Sequence, residues 1–145
     1  MKYFVVLDTN VLVSAFLGKN SNPAKLIDEA ANGCVIPVYS REILKEYEEV
    51  LHREKFPFAS QDIRALLKLI KTRGMRIEPG EVKVTMPDPD DAVFYAVVME
   101  KRKEEDAYLV TGNQKHFPKE PFIVTPKEML AIIAAGTSGE DNAPP

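Results

Sequence analysis

The sequence contains a single cysteine, Cys34, and only two histidines, His52 and His116. One cysteine cannot form an internal disulfide, so we expect the protein to reside in a reducing compartment, the cytoplasm. The three residues are far apart in the chain, and their spacing does not match a zinc site. A bound metal would therefore be held mainly by oxygen ligands.

Long apolar runs and an excess of positive charge are also lacking. No run approaches the roughly 20 apolar residues that span a bilayer, and Asp8 follows the first apolar segment too early for a signal peptide. We therefore expect no membrane association. The formal net charge of −3 does not suit nucleic-acid binding through a broad basic surface. If RNA is the substrate, its contact must be local or mediated by a metal.

The chain has 145 residues, of which 45% are hydrophobic, and this suffices for one domain with a single core. We expect this domain to cover residues 1–135. The residues after it are small, polar and rich in proline, so we expect residues 136–145 to form a disordered tail.

Short apolar runs alternate with amphipathic segments along the chain. The runs are rich in β-branched and aromatic residues, and the segments have helical periodicity and capping residues such as Ser40 and the Thr125/Glu128 pair. Strands are predicted over residues 3–7, 35–38, 75–78, 107–111 and 122–124. Helices are predicted over residues 11–17, 22–33, 41–54, 60–73, from the 88–91 turn to a solvated end at 101–105, and 126–135.

This alternation predicts an α/β fold, a three-layer α/β/α sandwich with a parallel sheet. Ligands of such sheets bind beyond the carboxyl ends of the strands, where the strand order reverses. Asp8 directly follows the first strand and should lie there. Burial of its carboxylate is costly unless a cation or hydrogen bonds compensate the charge. The alternative is that Asp8 or Asn10 caps the following helix.

Three acids, Asp88, Asp90 and Asp91, fall within four residues at the start of a predicted helix. A helix N-terminus favours negative charge by roughly 0.3–1 kcal/mol per group, which accounts for one or two of them. A bound divalent cation would relieve the crowding of all three. A capped and solvated turn is the alternative interpretation of this segment.

Glu46 borders the apolar stripe of its predicted helix, and Glu48 lies as near the opposite edge, so periodicity does not choose between them.

Phosphodiester hydrolysis needs an activated water and stabilised phosphoryl oxygens, and Mg²⁺ or Mn²⁺ supplies both. Magnesium is typically held by one or two carboxylates and by substrate phosphates. An acidic site can therefore act on an anionic polymer through a cation.

Asn113 follows a predicted strand, as Asp8 does. It is either an ordinary turn residue after glycine or a neutral ligand that orients water. Thr9 and Thr111 could contribute hydroxyl groups nearby. His116 also lies close to this region of the sequence, although a surface role is the more common one for an isolated histidine.

Four segments together resemble the PIN-domain family: residues 5–14, 40–51, 88–91 and 108–113. The resemblance extends to about Leu130 and is closest to bacterial and archaeal members classed as toxins of toxin–antitoxin pairs. It implies a five-stranded parallel sheet, an acidic site for Mg²⁺ or Mn²⁺, and cleavage of RNA. Similar toxins commonly form homodimers and are neutralised by an antitoxin protein, which suggests both partners here.

By this resemblance, Asp8, Glu46 and Asp91 match the family's three main acids. Family members often carry aspartate where this chain has Asn113, and Asp90 could take part of that ligand's role. We predict that Asp8, Glu46 and Asp91 are the catalytic residues and that these three and Asp90 are the metal ligands. In this prediction Asp8 and Asp91 anchor the cation, and Glu46 also orients or deprotonates water. The predicted supporting residues are Asn113, Thr9, Asn10, Thr111 and Asp88.

Three other functions share parts of this pattern. A phosphatase of the haloacid dehalogenase type needs a second acid two residues after the first, where this chain has Asn10. A receiver domain carries its phosphorylated aspartate after a central strand, whereas Asp8 follows the first predicted strand of this chain. A catalytically silent module that binds RNA or protein stays open as an alternative, because Asn113 makes one ligand position neutral.

Overall fold

The computed structural model describes residues 1–80, 86 and 88–141. Within these residues, parallel strands alternate with helices as predicted. The strands are β1 (Tyr3–Leu7), β2 (Val35–Tyr39), β3 (Met75–Arg76), β4 (Ala107–Val110) and β5 (Ile123–Val124). The α-helices are α1 (Thr9–Leu17), α2 (Asn22–Ala31), α3 (Arg41–Leu51), α4 (Ser60–Arg73), α5 (Pro89–Arg102) and α6 (Pro126–Asp141), with a short 3₁₀ turn at Gln114–His116.

The five strands form one parallel sheet in the order β3-β2-β1-β4-β5. The chain builds outward from β1 to β3 on one side, then returns to β4 on the other side of β1. The strand order therefore reverses between β1 and β4. Leu7 pairs with Val110 in the register of these two strands, so the residues that follow them, Asp8 and Thr111, leave the sheet side by side.

Helices cover both faces of the sheet, which is why the central strands are apolar at successive positions. Val5, Val6 and Leu7 are each at most 1% exposed, although neighbouring residues of a strand point to opposite faces. Helix α5 packs against β1, β2 and β4, whereas α2 and α4 pack against β2. This confirms the predicted three-layer α/β fold.

The helix caps predicted at Ser40 and at the Thr125/Glu128 pair are confirmed. Ser40 accepts a hydrogen bond from Ile43 N, and Ser21 caps α2 in the same way by accepting one from Ala24 N. Thr125 and Glu128 form the reciprocal capping box, with Thr125 N donating to Glu128 and Glu128 N donating to Thr125. These bonds satisfy N–H groups that the first turn of a helix leaves free.

Most element ends lie within two residues of the prediction, and the differences at α3, β3 and α6 bear most on the fold. Helix α3 ends at Leu51 rather than residue 54, and β3 covers only Met75–Arg76 rather than residues 75–78. Helix α6 continues to Asp141 instead of ending near residue 135, so residues 136–141, predicted to be disordered, are helical. Gly136 permits this path because a Cβ there would collide with the Tyr3 hydroxyl. Residues 142–145 of the predicted tail lie outside the described residues.

The charged end of α5 is also not fully solvated, contrary to the prediction. Lys101 is 1% exposed, and its ammonium lies 4.1 Å from the centre of the Phe4 ring and 3.2 Å from the Glu105 carboxylate. A lysine amine can be buried when an aromatic face and an acid replace its water.

None of the helices within residues 1–80 and 88–141 combines the length and the apolar character that crossing a bilayer requires.

Candidate active site

Asp8 lies at the point where the strand order reverses, buried against the ends of β1 and β4. It is 7% exposed, its backbone N–H donates to Val110 O at 2.9 Å, and its carboxylate accepts a hydrogen bond of 2.8 Å from the Thr111 hydroxyl. Asp8 is the N-cap residue of α1, and although its carboxylate makes no hydrogen bond of ordinary capping geometry, the backbone N–H groups of Thr9 and Asn10 lower its pKa against the larger effect of burial. The start of α1 therefore contributes to the surroundings of Asp8, together with Thr111 and the strand ends.

Glu46 reaches the same place from α3. Its carboxylate is half-buried and accepts a hydrogen bond from the hydroxyl of Thr9, the residue that follows Asp8. Glu48 is exposed on the same helix. The structure therefore selects Glu46 over Glu48, a choice that helical periodicity left open.

Tyr47, the residue after Glu46, holds α3 against the sheet. It is 1% exposed, and its hydroxyl donates a hydrogen bond to the carbonyl oxygen of Leu7. Leu7 directly precedes Asp8, so Tyr47 and Glu46 contact the chain on either side of the Asp8 backbone. The rotation of α3 and the end of β1 are fixed together by these two contacts.

The three acids at the start of α5 have separate surroundings. Asp88 is exposed and caps the helix, since its carboxylate accepts a 2.9 Å hydrogen bond from Asp90 N. Asp90 is exposed. Asp91 is only 14% exposed in its side chain, and its Oδ2 atom is buried without a hydrogen-bond donor among the described residues. Only Asp91 of the three is turned toward the interior.

The 3₁₀ turn after β4 brings His116 to Asp91. The Nδ1 atom of His116 lies 3.6 Å from Asp91 Oδ2, and its Nε2 atom lies 3.0 Å from the side-chain nitrogen of Asn113. Asn113 is exposed and donates its backbone N–H to the Thr111 hydroxyl at 3.0 Å. One hydroxyl, that of Thr111, thus connects Asp8 to the turn that carries Asn113 and His116.

The electrostatics show that Asp8, Glu46 and Asp91 share one environment. Burial is the largest cause that raises the pKa of each carboxyl, and the charge of Asp8 raises the pKa of both other acids further. The Thr111 hydrogen bond opposes the rise at Asp8, as the Thr9 hydrogen bond does at Glu46. The three predicted acids are therefore brought together from β1, α3 and α5.

A family model of the PIN domain matches residues 4–115, which is most of the chain and includes Asp8, Glu46, Asp91 and Asn113 but ends one residue before His116. The chain belongs to the PIN domain family. This confirms the family resemblance and the fold that it implied. PIN domains are generally nucleases, and those nucleases typically use divalent metals. No curated protein and no solved structure matches the chain significantly.

The acids of this PIN domain provide surroundings that suit a divalent cation. A buried carboxylate oxygen without a donor and three mutually repelling acids are the surroundings that a cation stabilises. In the described part of the chain, however, no three acidic, histidine or cysteine side chains are arranged to hold a metal ion as they stand. The site therefore fits a cation that keeps most of its waters and binds one or two carboxylates directly, as Mg²⁺ does.

Two residues of this PIN domain have roles that sequence reasoning missed. Tyr47 looks in the sequence like an ordinary member of the apolar stripe of α3, but its hydroxyl contact to the end of β1 positions Glu46. His116 is 54% exposed, as expected for an isolated histidine, yet it is the one described basic side chain paired with Asp91. Asn10, predicted to support the site, is exposed in the first turn of α1, and its N–H helps to lower the pKa of Asp8 against the larger effect of burial.

Proposed function

We propose that this PIN domain is a Mg²⁺- or Mn²⁺-dependent endoribonuclease that hydrolyses RNA phosphodiester bonds. The observation that carries the proposal is the position of Asp8, Glu46 and Asp91 at the carboxyl edge of the sheet, close enough for their charges to interact, with the Asp91 Oδ2 atom buried and without a hydrogen-bond donor among the described residues. A fold that brings three acids together with only the exposed His116 as a basic partner is less stable for it. A functional cation accounts for that cost.

In this proposal Asp8 and Asp91 hold the cation, and the hydroxyl of Thr111 keeps the Asp8 carboxylate oriented. When bound, the cation supplies an activated water and stabilises charge on the phosphoryl oxygens. Glu46 orients that water and accepts its proton, a task that suits a carboxyl whose pKa is raised by burial. Asp90 adds negative charge next to Glu46, in accord with its predicted place among the metal ligands.

A cleft between α3 and α5 gives the substrate access to Glu46. Its volume is about 270 Å³, and its lining includes Glu46 and Asp90 together with the basic residues Lys45 and Arg53. Two cations beside an acidic site provide the local phosphate contact that a chain of net charge −3 needs. We therefore place the RNA backbone along this cleft.

Cleavage of a labelled single-stranded RNA with Mn²⁺, with and without EDTA, tests the proposal. We expect cleavage by the native chain, its loss in EDTA, and its loss in Asp8→Asn and Glu46→Gln. Glu48→Gln is the matched control, because Glu48 lies on the same helix but is exposed. Equal activity of Asp8→Asn and the native chain would contradict the mechanism.

A catalytically silent binding module is the second candidate. The neutral side chain of Asn113 and the lack of a ready three-residue ligand group in the described chain favour it. The same assay separates the two candidates, because a silent module would bind the RNA and leave it intact at every metal concentration.

We also propose that the protein acts in the cytoplasm as the toxin of a toxin–antitoxin pair, as a homodimer that an antitoxin protein neutralises. The four PIN motifs and their resemblance to toxins of this kind support this. Induced expression should arrest growth, and Asp8→Asn should relieve the arrest. Light scattering of the purified protein at several concentrations tests the dimer.

A further inference from the structure

A second cavity lies on the other flank of the acids. Its volume is about 460 Å³, and it is lined by the 3₁₀ turn, the loop after that turn, the edge strand β5 and the start of α6. Small-molecule sites have volumes of roughly 300–1,000 Å³. The cleft with Lys45 and Arg53 is lined by α3, which follows β2, whereas this cavity is lined by segments that follow β4. Because β2 and β4 lie on opposite sides of β1, the two openings flank Asp8.

This cavity is close to the proposed catalytic residues. Lys115, which lines it, directly precedes His116, and the His116 ring lies 3.6 Å from the Asp91 carboxylate. Ile123 and Val124 line it from β5, which is two strands away from β1 and therefore roughly 10 Å from that strand. A polymer strand that leaves the cleft and crosses the acids next reaches this cavity.

The lining combines two cations with apolar walls. Lys115 and Lys119 are exposed, and neither forms an ion pair with an acid among the described residues. Phe117, Pro118 and Pro121 supply apolar surface. Lysine ammonium groups bind phosphate oxygens, and apolar and aromatic side chains contact the faces of bases whatever their sequence. The lining therefore suits a nucleotide.

The two acids in the lining do not neutralise these lysines. Glu128 caps α6, since its carboxylate accepts hydrogen bonds from Thr125 N at 2.8 Å and from the Gln114 side chain at 3.1 Å. Glu120 lies close enough to Tyr95 on α5 for its charge to raise the pKa of that hydroxyl. Both carboxylates thus interact with other parts of the fold, which leaves the lysines available for an anion.

We propose that this cavity binds a nucleotide of the RNA strand, with Lys115 and Lys119 on its phosphate and the apolar walls against its base. The inference rests on the RNA substrate of the proposed function and adds the second half of the substrate path. The acids then lie between two phosphate-binding segments, so nucleotides are needed on both sides of the cleaved bond. This arrangement fits cleavage within a strand rather than at its end.

Fluorescence anisotropy of a labelled single-stranded RNA tests the cavity, with Mn²⁺ and Glu46→Gln as the parent protein to prevent cleavage. We expect Lys115→Ala with Lys119→Ala to weaken binding and to reduce its salt slope by about 0.7 per lost phosphate contact. Lys68→Ala with Lys71→Ala is the matched control. It removes the same charge from exposed positions of α4, which lines neither the cavity nor the cleft, and it should leave the slope unchanged.

RNAs that carry one uncharged methylphosphonate linkage at successive positions map the path. A linkage that contacts Lys115 or Lys119 should weaken binding to the parent protein but have no further effect once both lysines are removed, as in a double-mutant cycle. The linkages that depend in this way on Lys45 and Arg53 should form a separate set. The linkage that the native chain cleaves should lie between the two sets.

The outcomes distinguish this inference from the proposed function. If removal of Lys115 and Lys119 has no more effect than the control, or if the two sets of linkages coincide, the inference is wrong and the metal-dependent nuclease is unaffected. If both sets appear but the native chain cleaves no RNA with Mn²⁺, the cavity binds RNA as inferred and the proposed catalysis fails. If the chain binds no RNA, both fail.

Discussion

Replacement of Thr111 by valine keeps the shape of the side chain but removes the hydroxyl that links Asp8 to the turn carrying Asn113 and His116. Thr111 is fully buried, donates to Asp8 Oδ2 at 2.8 Å and accepts from Asn113 N at 3.0 Å. A hydrogen bond to a charged group contributes about 1.5–3 kcal/mol. For a domain of this size each kcal/mol shifts the melting temperature by about 2–4 °C, so we expect a decrease of roughly 3–12 °C.

This loss should depend on pH with a definite sign. Burial raises the pKa of Asp8 above its ordinary value, and the Thr111 hydrogen bond opposes that rise, so valine raises the pKa further. A raised carboxyl pKa destabilises the fold at pH values above it, and the penalty disappears as the pH falls and the carboxyl is protonated. The destabilisation by Thr111→Val should therefore be largest near neutral pH and shrink toward about pH 4.

Thermal unfolding in EDTA at several pH values measures both effects. Thr72→Val is the matched control, because the Thr72 hydroxyl is exposed and bonds only to carbonyls of its own helix. The reasoning is refuted if Thr111→Val costs no more stability than Thr72→Val, or if its cost is the same at pH 4 and pH 7.

Three further predictions concern α3, the end of α4 and the cleft. Tyr47→Phe leaves the buried Leu7 carbonyl without this hydroxyl donor, so the free energy of unfolding measured in denaturant should fall by about 1–3 kcal/mol. The same change should reduce activity, because Glu46 shifts. Gly74→Ala places a methyl group against two backbone carbonyl oxygens and should cost about 1–3 kcal/mol or more in the same measurement. Lys45→Ala with Arg53→Ala should weaken RNA binding and reduce its salt slope by about 0.7 per lost phosphate contact.

The place of Asp8 could be predicted from the sequence because it depends on local signals. An apolar run that ends abruptly at an acid locates the end of a buried strand, and the carboxyl ends of parallel strands meet at one edge. Thr111 and Asn113 follow another strand by the same logic. The pairing of β1 with β4, which makes these residues neighbours, is a contact between residues about a hundred positions apart, and no local pattern encodes it.

The choice between Glu46 and Glu48 could not be made from periodicity, because both border the apolar stripe of α3. The helix must rotate by only a fraction of a turn to bury one or the other. That rotation is set by Tyr47, whose hydroxyl reaches a carbonyl at the end of β1. A polar contact made by a residue that appears apolar in the pattern decided which acid joins the site.

Lys101 and α6 show a second limit of pattern analysis. The charged run at residues 101–105 indicates a solvated helix end, and four of its five residues are at least partly exposed. Lys101 is buried because Phe4, on a distant strand, offers its ring to the ammonium. Composition likewise predicted a helix end near residue 135, but Gly136 lets α6 pass close to Tyr3. In both cases a contact with β1 overrides the local preference.

The acids at the start of α5 connect the fold to the chemistry. One carboxylate suffices to cap a helix, and Asp88 does so, which leaves Asp90 and Asp91 without a structural task. Asp90 stays in water at little cost. Asp91 is instead turned inward, where burial and the charge of Asp8 raise its pKa and no described donor reaches its Oδ2 atom. Because a buried carboxylate oxygen without a hydrogen-bond donor destabilises the fold, and the exposed His116 at 3.6 Å offsets this only in part, the position of Asp91 supports the proposed cation site.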